Sequence, residues 1–111
     1  MKPGDVVLTP IRQADGVTKN RPALILREMP AYGDLLVCGI STQLHQEVKG
    51  FDELILRSDS DFDESSLKSD SVIRLGFLAL LPTKDIIGTI GSISPERHRR
   101  LLKTLSDYLI K

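Results

Sequence analysis

Apolar residues occur in short runs separated by turns rich in glycine, proline and charged residues. Their branched and aliphatic side chains predict strands over residues 5–9, 22–27, 35–41, 52–56, 71–81 and 86–93, the fifth with a break at Gly76. The run 35–41 is almost continuously apolar, which is typical of a central strand buried on both faces. Gly88 and Gly91 in the last run indicate a bulge or a close backbone approach. The polar stretch 12–20 indicates a loop or a wide hairpin.

The C-terminal segment has the clearest helical pattern. Ser94 is a suitable N-cap, Pro95 suits the first helical position, and Glu96 favours the positive end of the helix dipole. The apolar residues that follow form one stripe, which we expect to contact the core: Leu101, Leu102, Leu105, Tyr108 and Leu109. Strands that do not alternate with helices disfavour a parallel sheet. The predicted fold class is therefore mainly β with α, a half-open barrel of antiparallel strands with a C-terminal helix.

The totals are those of an ordinary globular domain. A chain of 111 residues is expected to form one domain with its own core. The lone Cys38 excludes an internal disulfide and is predicted to be a core residue, and no Cys/His cluster in the sequence offers a metal site. No apolar run approaches membrane-spanning length, so we expect a cytoplasmic protein without a membrane partner.

Fifteen basic and fifteen acidic residues cancel, so the net charge does not indicate a nucleic-acid partner. The charges are unevenly distributed along the chain. We interpret the acidic stretch 59–64 as a solvated loop. The basic residues near the C-terminus are interpreted as a solvated helix face, with a local basic surface as the alternative: Arg97, His98, Arg99, Arg100 and Lys103.

Two polar motifs stand where predicted strands begin or end. Pro22 favours an extended conformation at Arg21, and proline is itself tolerated only at the start of a strand or at a sheet edge. We therefore expect the backbone of Arg21 to be fixed and its guanidinium to be exposed. A forked cation there suits phosphate or carboxylate, although a strand cap or a pair with a nearby acid is the simpler alternative. The second motif, 41–43, brings hydroxyls and an amide to the end of the central strand. Its simpler alternative is a turn.

Five short motifs, taken in order, resemble the MazF/PemK family of bacterial toxins over nearly the whole chain. They are Gly4-Asp5 before the first strand, Arg21-Pro22 before an aliphatic strand, Ser41-Thr42-Gln43, Asp70-Ser71-Val72, and the segment 87–93 followed by a helix. The resemblance implies an SH3-like half-open barrel (CcdB/MazF-like) and a single toxin domain over residues 1–111. It also implies a homodimer that is silenced by a cognate antitoxin.

The resemblance further implies a type II toxin that cleaves single-stranded RNA, often mRNA, at short sequences. Members of the family need no metal or other cofactor, and they activate the ribose 2′-hydroxyl against the adjacent phosphate. By position, Arg21 matches the catalytic arginine and Ser41 the hydroxyl residue, with Thr42 a near-equal candidate. The weaker RNA-binding candidates are Arg12, Gln13, Lys19, Asn20, Gln43, His45 and Arg74. His98 is expected at the helix boundary, outside the chemistry.

Two features keep other readings open. Many members carry an acid–glutamine pair where this chain has Gly76-Phe77. Arg74 stands where an aliphatic residue is common, and two roles for it are open: a contact to phosphate, or a position facing the acidic loop. The rival functions are a CcdB-like toxin that poisons DNA gyrase by binding, and a non-catalytic SH3-like module that binds RNA or protein. The Arg-Pro and Ser-Thr-Gln motifs favour the nuclease, because the gyrase poison requires neither.

Overall fold

The computed structural model describes residues 1–12 and 14–111, with the backbone alone described at 11 and 12. Six strands occupy Asp5–Arg12 (β1), Thr18–Glu28 (β2), Leu35–Ser41 (β3), Glu53–Ile55 (β4), Ser71–Leu81 (β5) and Gly88–Ser92 (β6). The helices are Phe62–Ser65 (α1) and Pro95–Leu109 (α2), with 3₁₀ turns at Leu44–Gln46 and Thr83–Asp85. All strand pairs are antiparallel, in the order β4-β5-β3-β2-β1-β6. The predicted half-open barrel of antiparallel strands with a C-terminal helix is confirmed.

The first two strands form a longer hairpin than the predicted strand limits allow. Their ladder extends to the pair Arg12–Thr18, so the hairpin interpretation of this stretch is confirmed. The prediction that β2 starts at Pro22 is wrong, because the strand begins at Thr18. However, β3 lies beside β2 only from Ala23 onward, which leaves Pro22 where one edge of β2 is open. A residue without an N–H is tolerated at such an edge.

Register shifts interrupt three of the described ladders, and the one between β2 and β3 lies between Ile25 and Arg27. The β1–β6 ladder shifts register between Val6 and Val7, which confirms the bulge indicated by the glycines of the last strand. A side chain at Gly91 would collide with the backbone of Glu64 and Ser65, because α1 crosses β6 there. The β3–β5 ladder also shifts: Cys38 pairs with Leu78, and the next residue of β3 pairs with Arg74. Residues 75–77 of β5 are therefore displaced from the regular ladder.

Apolar side chains fill both faces of the sheet. The larger core lies under α2 and includes Leu24, Ile73 and Leu101. A smaller cluster on the opposite face is built around Ile25 and Val37. Cys38 is fully buried in the larger core, as predicted, and burial together with nearby Asp52 raises the pKa of its thiol to about 12.

The acidic stretch 59–64 was predicted to be a solvated loop, and that prediction is confirmed for the exposed Asp63 and Glu64 but wrong for Asp61. Asp61 is buried, and its carboxylate accepts hydrogen bonds from Nε and Nη2 of Arg97 at 2.8 and 3.1 Å. Asp59 and Glu53 accept from the same guanidinium, each at 3.0 Å. Arg97 is itself buried, so the predicted solvated basic face also fails at this position. Asp59 and Asp61 of this stretch, together with Glu53 of β4, therefore anchor the first turn of α2.

The pKa of Asp61 reflects this anchor. Burial by itself would raise the pKa of the carboxyl, but the Arg97 hydrogen bonds, the amide of Ser94 and the guanidinium charge together lower it to about 2. Ser94 is the N-cap as predicted, with its hydroxyl accepting from the amide of Arg97 at 3.1 Å. Loop and helix start are thereby joined by charged hydrogen bonds.

The end of α2 differs from the predicted core-facing stripe. Leu101 and Leu105 are buried, but Tyr108 and Leu109 are exposed. The ring of Tyr108 contacts Phe51 with centroids 5.2 Å apart. Within the part of the chain that is described, no helix is long and apolar enough to cross a membrane.

Candidate active site

A cavity of about 520 Å³ lies where the open part of β2, the end of β3 and the displaced part of β5 meet. It collects six of the predicted site residues, which come from three separate stretches of sequence: Asn20, Arg21, Ser41, Thr42, Gln43 and Arg74. Antiparallel pairing brings these stretches together, since Ala23 pairs with Gly39 and Gly39 with Arg74. No single motif contains the site.

Arg21 projects from the open part of β2. It pairs with Thr9 through the backbone, and its side chain is exposed in the cavity. Within residues 1–12 and 14–111, no carboxylate forms an ion pair with its guanidinium. The alternative of a structural pair with a nearby acid is therefore not supported. The fixed backbone and free head suit an anionic ligand.

Ser41 and Thr42 both line the cavity but differ in how they are held. Ser41 is the last residue of β3, is half-buried and pairs with Val72 of β5. Its Oγ accepts a hydrogen bond from the amide of Gln43 at 3.0 Å, which fixes the side chain while leaving its proton available to a ligand. Thr42 is exposed and lies after the strand. The sheet therefore positions Ser41 more firmly.

Arg74 lies over an aromatic ring, not beside the acidic loop. Its Cζ is 5.3 Å from the centroid of Phe77, within cation–π range. Both side chains line the cavity. The alternative that Arg74 faces the acidic loop is thus not what the structure shows.

Among the lining residues that sequence reasoning did not assign to the site, three offer an aromatic, a cationic or an unpaired polar group: Phe77, Lys68 and Gln46. Phe77 was noticed only as a departure from the family pattern. Lys68 lies in a segment whose acids suggested a loop, and the loop is held by Arg57, which donates to the Lys68 carbonyl at 2.8 Å. Gln46 has a buried Oε1 that finds no hydrogen-bond partner among the described residues. Its place in a 3₁₀ turn next to the Ser-Thr-Gln motif was the one available signal.

Other predicted candidates lie elsewhere. Lys19 and His45 are exposed but do not line the cavity. Arg12 ends β1, and its side chain lies outside the described part of the chain, as does the whole of Gln13. His98 is half-buried at the start of α2, where Nε2 donates to the carbonyl of Leu26 at 2.9 Å. This histidine serves the helix–sheet contact.

The cavity is electropositive although the chain is neutral. Arg21, Arg74 and Lys68 line it together with hydroxyls and amides, and no carboxylate is among the described lining residues. Three cations without a counter-ion favour a polyanion. Hydroxyls and a forked cation together are able to orient a phosphate and stabilise charge that develops on it. Among the described residues, no group of three or more His, Cys, Asp or Glu side chains is placed to share a metal ion.

Comparison with known proteins gives one positive finding. A family described as "PemK-like, MazF-like toxin of type II toxin-antitoxin system" matches residues 2–109. The comparison with curated proteins finds no match.

Proposed function

The chain belongs to the PemK-like, MazF-like toxins of type II toxin–antitoxin systems, and from this premise we propose that it is an endoribonuclease that cleaves single-stranded RNA, including mRNA. The observation that supports this most strongly is the cavity in which three cations meet the hydroxyls of Ser41 and Thr42 with no carboxylate among the described lining residues. An RNA strand supplies the polyanion that such a lining favours. The 2′-hydroxyl that the reaction needs distinguishes RNA from DNA.

The proposed reaction uses the substrate's own nucleophile. The ribose 2′-oxygen attacks the adjacent phosphorus as its proton leaves, the bond to the 5′-oxygen breaks, and that oxygen takes up a proton. The products are a 2′,3′-cyclic phosphate and a 5′-hydroxyl. Negative charge grows on the phosphoryl oxygens, where the guanidinium of Arg21 stabilises it. A serine hydroxyl alone is too weak an acid or base near neutral pH to drive the reaction. We therefore assign Ser41 to orienting the phosphate and to relaying a proton in the reaction, with the guanidinium of Arg21 beside it in the cavity.

No step of this reaction is assigned to a metal ion, and we propose that cleavage continues in excess chelator. This follows from the 2′-oxygen mechanism, in which the nucleophile is already adjacent to phosphorus. Arg21 and Lys68 supply the positive charge that a metal would otherwise provide. The substrate is an unpaired strand, because alignment of the 2′-oxygen requires nucleotides free of a duplex.

Membership of a toxin–antitoxin family implies an antitoxin partner. We propose that the antitoxin is acidic and that it places carboxylates near Arg21. No described acid of this chain forms an ion pair with that guanidinium. Toxin, antitoxin and mRNA would then meet in the cytoplasm.

We also propose a homodimer formed through an apolar surface, defined as Leu78 and Leu80 of β5 with Tyr108 and Leu109 of α2. All four side chains are exposed. Phe51 contacts Tyr108 of α2, and its ring lies 3.7 Å from where a Cβ at Gly76 of β5 would be. Beyond Ile73, β5 has no strand on its second edge within the described residues. An apolar open edge of this kind is a template for pairing with another chain.

The proposal is tested with purified protein, freed of any antitoxin, and single-stranded RNA in excess chelator. We expect cleavage that leaves cyclic phosphate ends and is abolished in Arg21→Ala. Arg27→Ala is the matched control, because Arg27 is an exposed arginine of the same strand that does not line the cavity. Arg21→Lys is expected to recover little activity, because it keeps the charge but loses the fork.

The rival functions give different results in the same experiment. A gyrase poison would leave RNA intact and inhibit DNA supercoiling, with or without Arg21. A non-catalytic module would bind the RNA without cutting it. Either result would reject the nuclease.

A further inference from the structure

Phe77 is an aromatic side chain that the cleavage chemistry does not use, although it lines the cavity. The displaced part of β5 places its ring over the backbone of β3: a Cβ built on Gly39 would lie 2.5 Å from Cδ2 of Phe77. Any side chain at Gly39 would therefore displace the ring. Although its ring packs closely against the backbone at Gly39, Phe77 is 51% exposed. An open aromatic surface thus faces a polar, cationic cavity.

Arg74 completes this surface. Its guanidinium lies over the Phe77 ring, and no described carboxylate pairs with it. A guanidinium in this position is attracted by the face of the ring. The two groups together form a flat, positively charged surface, which differs from the purely aliphatic side chains of Leu78 and Leu80 farther along the strand.

We propose that Phe77 and Arg74 form a stacking site for one nucleobase of the RNA strand, a proposal that rests on the nuclease function above. Aromatic and guanidinium planes are the groups on which unpaired bases stack. Arg21 and Ser41 line the same cavity, so the protein holds a base and a backbone phosphate of one strand at once. The stacked base is adjacent to, or part of, the nucleotide whose phosphate is attacked.

Gln46 provides a polar group for the edge of such a base. Its Oε1 is buried, lines the cavity and has no hydrogen-bond partner among the described residues. A buried acceptor left unpaired is costly, and the exocyclic amine of a nucleobase would satisfy it. The chemical class of the ligand is therefore a nucleobase presented by a single strand.

The test measures binding separately from cleavage. Affinity for a randomised, uncleavable 2′-O-methyl oligoribonucleotide is measured by fluorescence anisotropy, and KM is measured on the cleavable counterpart. We expect Phe77→Leu to weaken binding roughly ten- to a hundredfold, as loss of one stacked base does, and to raise KM similarly. Phe77→Trp keeps a stacking surface and retains affinity. Tyr32→Leu, at a 93% exposed aromatic residue outside the cavity, leaves both quantities unchanged.

A second measurement does not depend on any substitution. On addition of the 2′-O-methyl oligonucleotide, the ring protons of Phe77 in the wild-type protein are expected to shift upfield, because they lie over a base. Cleavage by the wild type with equal affinity in Phe77→Leu, or an unshifted ring, overturns the stacking site and leaves the nuclease standing. The stacking site is also overturned if Phe77→Leu changes the oligomeric mass of the protein but leaves its affinity for the oligonucleotide, per protomer, unchanged. That result would assign the ring to a protein interface. RNA that is bound by the wild type but never cleaved rejects the nuclease alone.

Discussion

At the scale of single residues, Ser41 and Thr42 present two hydroxyls to one cavity, yet they are held differently. Ser41 ends a strand and is fixed by the Gln43 amide, whereas Thr42 is exposed beyond it. Sequence resemblance alone left the two nearly equal. Catalytic groups need a fixed geometry, because small displacements at the reacting atoms are costly. Ser41 is therefore the better assignment.

We expect Ser41→Ala to lower kcat by about 10²–10⁴-fold, the usual range for a positioned proton-transfer group. Thr42→Ala is expected to change kcat by less than about tenfold, because an exposed residue beyond the strand end is not fixed against the phosphate. Single-turnover cleavage of RNA measures both. Ser41→Thr restores a hydroxyl and should recover part of the rate. A larger loss in Thr42→Ala, or in His45→Ala, would reverse the assignment.

At the scale of elements, α2 is joined to the rest of the molecule by charge as well as by apolar packing. Arg97 reaches from the first turn of the helix to Asp61, Asp59 and Glu53. Arg100 adds an exposed pair to Glu53 at 3.0 Å. Buried charges are tolerated when every partner is hydrogen-bonded, as Arg97 is here. Loss of one acid should therefore loosen the helix start and the loop together.

Asp61→Asn is expected to destabilise the fold at pH 7 by about 2 kcal/mol, the free energy that corresponds to the lowered pKa. Because the folded-state pKa of about 2 is below the unfolded value of 3.8, this stability is present above about pH 4 and is lost as the pH falls towards 2. Urea unfolding from pH 7 to pH 2 measures it. The matched control is Asp107→Asn, an exposed acid of α2 paired with Lys103.

The difference between Asp61→Asn and the wild type should thus shrink as the solution is acidified. A difference that persists unchanged at pH 2 would show that shape or hydrogen-bond geometry, not charge, dominates this anchor. Asp107→Asn is expected to stay within about 0.5 kcal/mol of the wild type at pH 7, since exposed ion pairs contribute little.

At the scale of the whole molecule, the cavity and the apolar surface include neighbouring residues of β5. Phe77 belongs to the cavity, while Leu78 and Leu80 belong to the apolar surface. Successive side chains of a strand point to opposite faces, so one strand serves both. The proposed ligand site and the proposed dimer surface are therefore separated by only a few residues of β5.

Leu80→Glu is expected to convert the proposed dimer into a monomer, because it places a charge in an apolar interface. Ile87→Glu is the matched control: Leu80 and Ile87 are each 55% exposed, but Ile87 lies outside the apolar surface. Light scattering coupled to gel filtration measures the mass. A wild-type monomer, or a Leu80→Glu protein that keeps the mass of a dimer, would contradict the proposed surface.

The sequence by itself determined the strands and the start of the C-terminal helix, because both depend on interactions between residues that are close together in the chain. The alternation and length of the apolar runs determined the six strands, and Ser94-Pro95 determined where α2 begins. The order of short motifs also predicted Arg21 and the Ser-Thr-Gln stretch as site residues, and the structure brings them to one cavity.

The tertiary structure alone decided the contacts between residues far apart in sequence. A run of acids looks solvated in sequence, but Asp61 is buried because Arg97, distant along the chain, neutralises and hydrogen-bonds it. Phe77 looked like a departure from a pattern, and the shifted β3–β5 register made it part of the cavity. Ladder register and charge pairing depend on how strands and loops meet in space, and no local pattern of side chains encodes that.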